Sequence, residues 1–425
     1  MYYPKVLVIS NNGFSHTSSN GRTLGNFFIG WPKDCVAQFC ISTVEPAFDI
    51  CENYYICTDS RAIEAFKHFS KAPRMDIMQC LNTEANTIIR SNRKSFKTST
   101  KALLRALVWK NRWNSDSFWN WVDDFSPEIV LVMNSDATFI LDIATTVSKK
   151  RTIPLVMFNT EGFYFFKNDY YRKERFVDTL SFPIYQSIYK KHFEKTMKQV
   201  SLSIYCNSAL QEDYVNEFGG KSIVLYTGST LDFDSSNLHV EHPTFSYLGN
   251  FGYNRPKALV EVAETLQSIC HNYFLDIYGN VPRQEIIDLF TSTRGIRFHG
   301  MIPYDKVTEI IKRSTVLFHV EAQDECFKES LKYGFSTKIA DSVSSGRCFI
   351  IYSSPEVAGA KYIQDTRAGW FADNVDDLKT VILSVLLDAD NRENVLVRAK
   401  RISFENHNVN NNCDKFKQAL LSVLN

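Results

Sequence analysis

The sequence lacks the devices that stapled or metal-organised folds depend on. Its ten cysteines form no C-x-x-C pair and no short-spaced cluster with histidine. Disulfide-built and zinc-built folds are thereby excluded, and a reducing compartment is expected. Net charge is only +1, so no global field points to nucleic acid or another polyanion. Long apolar runs are missing too: stretches such as Ile129–Met133 and Cys348–Ile351 are far shorter than a membrane span. The opening MYYPKVLVIS has no basic region, long apolar region or small-residue cleavage site. A cytoplasmic protein is expected, with any membrane contact made from the surface. No G-x-G-x-x-G follows the first strand-like run, which argues against a dinucleotide site.

What is present is an ordinary globular composition in a long chain. With 425 residues, 44% of them apolar, about two domains are expected. Short apolar runs alternate with helical patterns throughout. Lys5–Ile9, Ile129–Met133, Pro154–Phe158, Ser203–Tyr205 and Ile223–Tyr226 read as buried parallel strands. A second series follows at Phe245–Leu248, Leu275–Tyr278, Ile296–Phe298, Val316–Val320 and Phe349–Tyr352. Alternation of this kind predicts an α/β fold of two doubly wound parallel sheets, with ligands at the carboxyl ends of the strands. The polar stretch 228–243 separates the series. It predicts one domain over 1–235, a second over 240–408, and a last helix at about 409–425.

Residues 334–352, GFSTKIADSVSSGRCFIIY, carry the most chemistry. They read as a polar loop (Ser336, Thr337, Lys338), a short helix holding Asp341, a turn at Gly346 and a buried strand. Hydroxyls, free backbone N–H groups and an ammonium at a helix N-terminus stabilise an anion. A carboxylate one turn further in suits a ribose. A plain capped loop–helix connection accounts for the same residues, since such caps are common.

Four other segments stand out. In YLGNFGYNRPK, residues 247–257, a Gly-rich turn after a strand places Gly249 and Asn250 ahead of Arg255 and Lys257. Glycines admit close backbone approach, and a fixed cation stabilises a leaving diphosphate. The loop NNGFSHTSSNGRT after the first strand carries Gly13, His16, Gly21 and Arg22. Glu161 follows the strand 154–158, with Asn134 and Asp136 as rivals; it is a candidate base at a strand's carboxyl end, or a plain loop carboxylate. Residues 85–115 hold eight Lys or Arg and no acid: Arg90, Arg93, Lys94, Lys97, Lys101, Arg105, Lys110 and Arg112. Lys97, Lys101 and Arg105 fall on one helical stripe, with Trp109, Trp113, Trp119 and Trp121 close behind. Basic, amphipathic and Trp-flanked, residues 90–113 fit an anionic membrane surface, or else a solvated helix face over core Trp.

The pattern Ser336-Thr337-Lys338-Ile339-x-Asp341, with Gly346 after it, resembles the nucleotide-sugar glycosyltransferases of the GT-B type, within them family 4. The resemblance is fair over residues 200–400 and thin before them. It implies two Rossmann-like domains facing across a cleft. The donor is a UDP- or GDP-sugar bound as substrate, with no cofactor and no metal. By the resemblance Asp341 binds the ribose, and Ser336 and Thr337 lie beside the diphosphate. Arg255 and Lys338 neutralise its charge, and the Gly21 loop faces the phosphates across the cleft. Phe298-His-Gly300 lies near the nucleotide base. The Glu that contacts the sugar in many members is Tyr333 here. Glu321 is the nearest substitute, ahead of Glu325 and Glu329. The implied activity is transfer of a sugar to a glycan or lipid-linked glycan acceptor, retaining its configuration, in cell-surface polysaccharide or glycolipid synthesis. The protein would be cytoplasmic or peripheral on the inner face of the membrane, without a nucleic-acid partner. A sugar-nucleotide epimerase on the same fold and a non-catalytic nucleotide- or carbohydrate-binding module are the alternatives.

Overall fold

Runs that are apolar at every position become strands buried on both faces. Val6–Ser10, Ile129–Met133 and Leu155–Asn159 are buried along their whole length. In the computed structural model, which describes residues 2–16, 19–41, 46–75, 98–167, 176–236, 238–281 and 283–424, such strands build two parallel sheets.

The first sheet contains β1 (Val6–Ser10), β2 (Val36–Cys40), β3 (Asn53–Ile56), β4 (Ile129–Met133), β5 (Leu155–Asn159), β6 (Val200–Tyr205) and β7 (Ser222–Val224), in the order β3-β2-β1-β4-β5-β6-β7. The second contains β8 (Phe245–Leu248), β9 (Leu275–Tyr278), β10 (Ile296–Gly300), β11 (Val316–Val320), β12 (Cys348–Tyr352) and β13 (Trp370–Ala372), in the order β10-β9-β8-β11-β12-β13. The strand order reverses between β1 and β4 in one sheet and between β8 and β11 in the other. Each reversal opens a crevice at the carboxyl ends, where such sheets bind ligands.

Three strands escape the apolar-run pattern. β2 has a polar residue, Gln38, at its centre, yet Gln38 is fully buried. β3 is short and opens on Asn53, and β13 has only 3 residues.

The chain divides into two units, residues 1–225 with 413–425, and 226–412. The crossing at Leu225/Tyr226 comes just before the polar stretch 228–243, which lies within the second unit. The helix Val409–Leu421 straddles the return point, and from Cys413 onward it belongs to the first unit. There Phe416 stacks on Phe27 with ring centroids 5.2 Å apart. In the second unit alternate strand residues feed two cores. Phe245, Tyr247, Phe318, Val320 and Ile350 enter one; Leu317, Phe349 and Ile351 enter the other. No helix among the described residues is long and apolar enough to cross a membrane.

Candidate functional site

In the second unit Asn250, Arg255 and Glu321, all singled out by sequence, meet at the carboxyl ends of β8 and β11. The chain leaves β8 through Gly249 and Asn250 and enters the helix Arg255–Ile269. Asn254, ahead of it, takes a left-handed backbone, and Pro256 occupies the first turn, where its missing N–H costs nothing. Arg255 is thereby turned inward and is 8% exposed. Its Nε donates to Glu321 Oε2 at 2.8 Å and to the Val320 carbonyl at 3.2 Å, and Nη2 lies 2.6 Å from the same carboxylate oxygen. Nη1 donates to Asn250 Oδ1. The guanidinium stands over the Tyr253 ring at 5.3 Å. With five N–H groups, it keeps donor capacity on Nη1 and Nη2 for a ligand.

Glu321 lies just past β11 and is buried, with both oxygens engaged. Oε2 takes Arg255 and Oε1 takes His319 Nε2 at 3.0 Å. Burial alone would raise its pKa, but the Arg255 guanidinium and the His319 N–H outweigh that and hold it below the ordinary carboxylate value. Burial pushes the His319 pKa down despite Glu321, with Arg255 and the Lys338 ammonium adding to the fall. His319 is therefore neutral and donates from Nε2, because a carboxylate oxygen can only accept. Arg255, Glu321 and Asn250 thus come together, joined by His319, which the sequence reading passed over. The signal was available: His319 and Glu321 are two apart across the end of a strand and so share a side.

Lys338 belongs to the helix Thr337–Ser344, capped by Ser336, whose Oγ accepts from the Lys338 N–H at 3.4 Å. Asp341 is half-buried on that helix and accepts from Ser229 Oγ at 2.7 Å. Ser229 is fixed in turn, its N–H donating to the His407 carbonyl at 2.8 Å. Gly346 has φ +75, and a Cβ there would lie 2.3 Å from the Asp234 backbone, so a side chain is excluded twice over. Thr337 is half-buried, as is Gly300, whose φ is +72. Beside Gly300, His299 stacks on Tyr278 at 4.5 Å, a flat aromatic surface at the end of β10. Tyr333 is buried and accepts from Lys332 Nζ at 3.1 Å. Glu325 is exposed and paired with Lys328 at 2.6 Å, and Glu329 is half-buried nearby. Lys257 is exposed and lines a separate cavity of about 310 Å³ with Glu261, Gln323 and Tyr352.

In the first unit the loop after β1 is organised by Gln38. Its Nε2 donates to Ser10 Oγ at 2.9 Å and to the Asn12 carbonyl at 3.2 Å, while Oε1 accepts from the Phe14 N–H at 2.9 Å. Gly21 lets the next helix sit directly on this loop, since a Cβ would fall 2.5 Å from the Gly13 carbonyl oxygen. His16 is exposed and paired with Asp49 at 2.9 Å, and Arg22 is half-buried. Across the switch point Asn11 Nδ2 donates to Asp136 Oδ1 at 3.4 Å. Asn134 is consumed structurally, donating to Asn159 at 3.0 Å and accepting from Tyr189 at 2.8 Å. Glu161 is half-buried after β5, and its backbone carbonyl accepts from Tyr214 at 3.5 Å.

The basic segment differs from the expected stripe. Arg90, Arg93, Lys94 and Lys97 lie outside the described residues. Arg105 turns inward to Asp59 at 2.9 Å and stands over Phe139. Trp109, Trp113 and Trp121 are buried, and Trp119 lies beneath Lys150 and Arg151, so the tryptophans do not flank an exposed basic face.

No family model matches the chain, and no curated protein matches it in sequence. Solved structures do match along its length. Sucrose-phosphate synthase from Thermosynechococcus elongatus superposes with a TM-score of 0.63 at 10% identity, over 98% of each chain. HepE of Anabaena, solved with UDP, gives 0.62 at 12% identity, over 98% of this chain and 100% of that one. The fold is GT-B. A further GT-B neighbour is a UDP-forming α,α-trehalose-phosphate synthase of Burkholderia xenovorans solved with glucose-6-phosphate, with a TM-score of 0.55, 9% identity and coverage of 98% and 100%. Identities this low speak to the GT-B framework alone, so chemistry here rests on the residues at the two switch points.

Proposed function

We propose that the chain transfers a sugar from a nucleotide-diphosphate sugar to an acceptor hydroxyl. The observation that carries the reading is the held guanidinium of Arg255 at the β8/β11 switch point; Lys338, in the first turn of a capped helix, adds a second cation in the same unit. A fixed guanidinium, an ammonium and a helix N-terminus suit a diphosphate. Neighbours solved with UDP favour uridine over guanosine as the base.

In this reading the bond from the sugar's anomeric carbon to the diphosphate oxygen breaks, and the electron pair stays on the diphosphate. Arg255 and Lys338 stabilise that growing charge, which is where a fixed cation accelerates the step most. They carry the charge that a metal carries in other transferases, and no cofactor is needed. The new bond forms to the acceptor oxygen on the face the diphosphate leaves, so configuration is retained, and the acceptor proton passes to a base, for which Glu161 is the candidate. Asp341 receives the ribose hydroxyls. Ser336 and Thr337 lie beside the diphosphate with Gly249 and Asn250, and backbone at Gly300 meets the base. Glu321, held by His319 and Arg255, positions Arg255. The acceptor is a glycan or lipid-linked glycan used in surface polysaccharide or glycolipid synthesis at the inner face of the membrane.

Thermal melts with UDP, GDP, ADP and their sugars test the reading. A ligand at 100 times its dissociation constant stabilises by about 2.7 kcal/mol. Lys338→Ala should cut nucleotide release in the presence of acceptor by about 10²-fold while weakening donor binding far less. A chain that no nucleotide stabilises, or a Lys338→Ala variant with full turnover, would sink it. Interconversion of the donor without transfer would favour an epimerase instead.

A further inference from the structure

The first unit exposes a surface that the nucleotide site does not use. The helix Ser99–Trp109 packs against the helix Phe176–Met197, and Thr100 and Ser181 hydrogen-bond between them at 2.9 Å. Phe182, Tyr185, Tyr189 and Phe193 of the longer helix face the core. Its outer face runs from apolar to basic: Leu180, Pro183, Ile184 and Ile188, then Lys191 and Lys195, with Lys198 exposed just past its end. The shorter helix exposes Lys101, Leu104 and Leu107. Leu104 and Leu107 are 57% and 55% exposed, Leu180 and Ile184 59% and 58%. The two apolar faces meet at a cavity of about 540 Å³, lined by Leu103, Leu107 and Ile188, by Lys110 and Lys195, and by Asp142, whose carboxylate is paired with His192 at 2.8 Å.

Segments 98–113 and 180–198 hold four Lys or Arg each and a single acid, Glu194, in a chain whose net charge is only +1. None of Lys101, Lys110, Lys191, Lys195 and Lys198 is paired with an acid among the described residues.

We propose that this helix pair is a docking surface for an anionic lipid bilayer. Aliphatic side chains enter the acyl boundary, and the lysines reach the headgroups on their flexible stems. Charge complementarity selects the lipid. A nucleic acid would meet aliphatic side chains at the centre of the patch. Protein interfaces are enriched in aromatic residues and Arg and depleted in Lys, the reverse of what is exposed here. The surface deepens the acceptor side of the transferase reading, but its test uses no donor, so failure here leaves the nucleotide site untouched and failure there leaves this surface testable.

The experiment is co-sedimentation of the full chain with vesicles of phosphatidylcholine alone, or of equal parts phosphatidylcholine and phosphatidylglycerol. It is run in low salt and in about 0.5 M NaCl, where exposed charges are screened within a few ångströms. The chain should pellet with the anionic vesicles only, and less so at high salt. Lys101→Glu/Lys191→Glu/Lys195→Glu should lower that binding by more than about tenfold. Leu104→Ser/Ile184→Ser should be released at lower salt than the parent chain. Melting curves check that the variants fold. A measurement needing no variant reads the same face: acetylation of Lys191 and Lys195 should slow when anionic vesicles are added. Pelleting with neither vesicle, equal pelleting with both, a charge-reversed chain that binds like its parent, or unchanged acetylation would each overturn the proposal.

Discussion

In the first unit the loop at the switch point is held by the neutral amide of Gln38; in the second the corresponding loop is held by the ion pair of Arg255 with Glu321. Gln38 makes three short bonds to backbone and hydroxyl, and its work is to place main-chain atoms. The Arg255–Glu321 pair places a charge. A buried ion pair is a costly way to brace a loop, because desolvation offsets much of its attraction. Its presence beside the β8 loop marks the second crevice as one that holds a cation in place. His319 supports that view, since it engages the second carboxylate oxygen and leaves Glu321 serving Arg255.

The largest effect comes from splitting the pair. Arg255→Ala leaves Glu321 buried without its cation and should cost about 3–5 kcal/mol in urea unfolding, along with turnover. The informative variant is Arg255→Met/Glu321→Leu. Apolar replacement of a whole buried pair is often neutral or stabilising. The double variant should therefore recover most of the stability and none of the turnover. Recovery of both would reduce the pair to a brace, and the contrast between the loops would vanish.

Acid should separate the units next. His319 and His407 are the fully buried histidines among the described residues, and both lie in the second unit. Burial lowers the His407 pKa from 6.5 to about 4, even though its Nδ1 donates to the Thr227 carbonyl. A base held neutral in the fold takes up its proton only on unfolding, so the unfolded chain binds more protons below the ordinary histidine value. Stability from His407 is present above pH 6.5 and is lost as pH falls toward about 4, a loss of about 3 kcal/mol. The lowered pKa of Glu321 adds a second loss below the ordinary carboxylate value, in the same direction. Hydrogen exchange should show peptides from 226–412 losing protection between pH 6.5 and 4 before those from 1–225. Simultaneous loss would count against it.

How far the sequence revealed all this depends on the kind of signal. β1, β4, β11 and β12 were legible because burial on both faces forces continuous apolar runs. β2 was not, because the residue that breaks its run is the one that organises the neighbouring loop: a buried Gln reads as an exposed one until its partners are known. Arg255 was legible from the Gly-rich turn ahead of it. Its counter-ion was nominated for a different task, since only the pairing of β8 with β11 brings residue 321 to residue 255. Ser229 was read as linker, and its bond to Asp341 spans 112 positions, which no local pattern encodes. The amphipathic pattern of 98–113 was legible too, but the direction each basic residue faces depends on the helix 176–197 packed beside it.

The smallest of these effects tests the neutral side of the comparison. Gln38→Leu keeps the bulk of the side chain and removes its polar end. The Phe14 N–H, which bonds to Gln38 at 2.9 Å, would then be left without that partner in a fully buried site. An orphaned buried donor costs about 1–3 kcal/mol. Gln38→Glu keeps an acceptor for Phe14 but gives up the donor to Ser10 and to the Asn12 carbonyl, and it sets a carboxylate beside that carbonyl. It should destabilise at least as much as the leucine variant, and increasingly as pH rises through the carboxylate range, where the added group must ionise in a buried place. Neither variant removes a cation, so both should leave the affinity of the second unit for nucleotide where it was, measured by calorimetry below the melting temperature. If Gln38→Leu weakened nucleotide binding as strongly as Lys338→Ala, the β1 loop would itself contact the ligand, and backbone placed by an amide would have to be counted alongside charge placed by an ion pair.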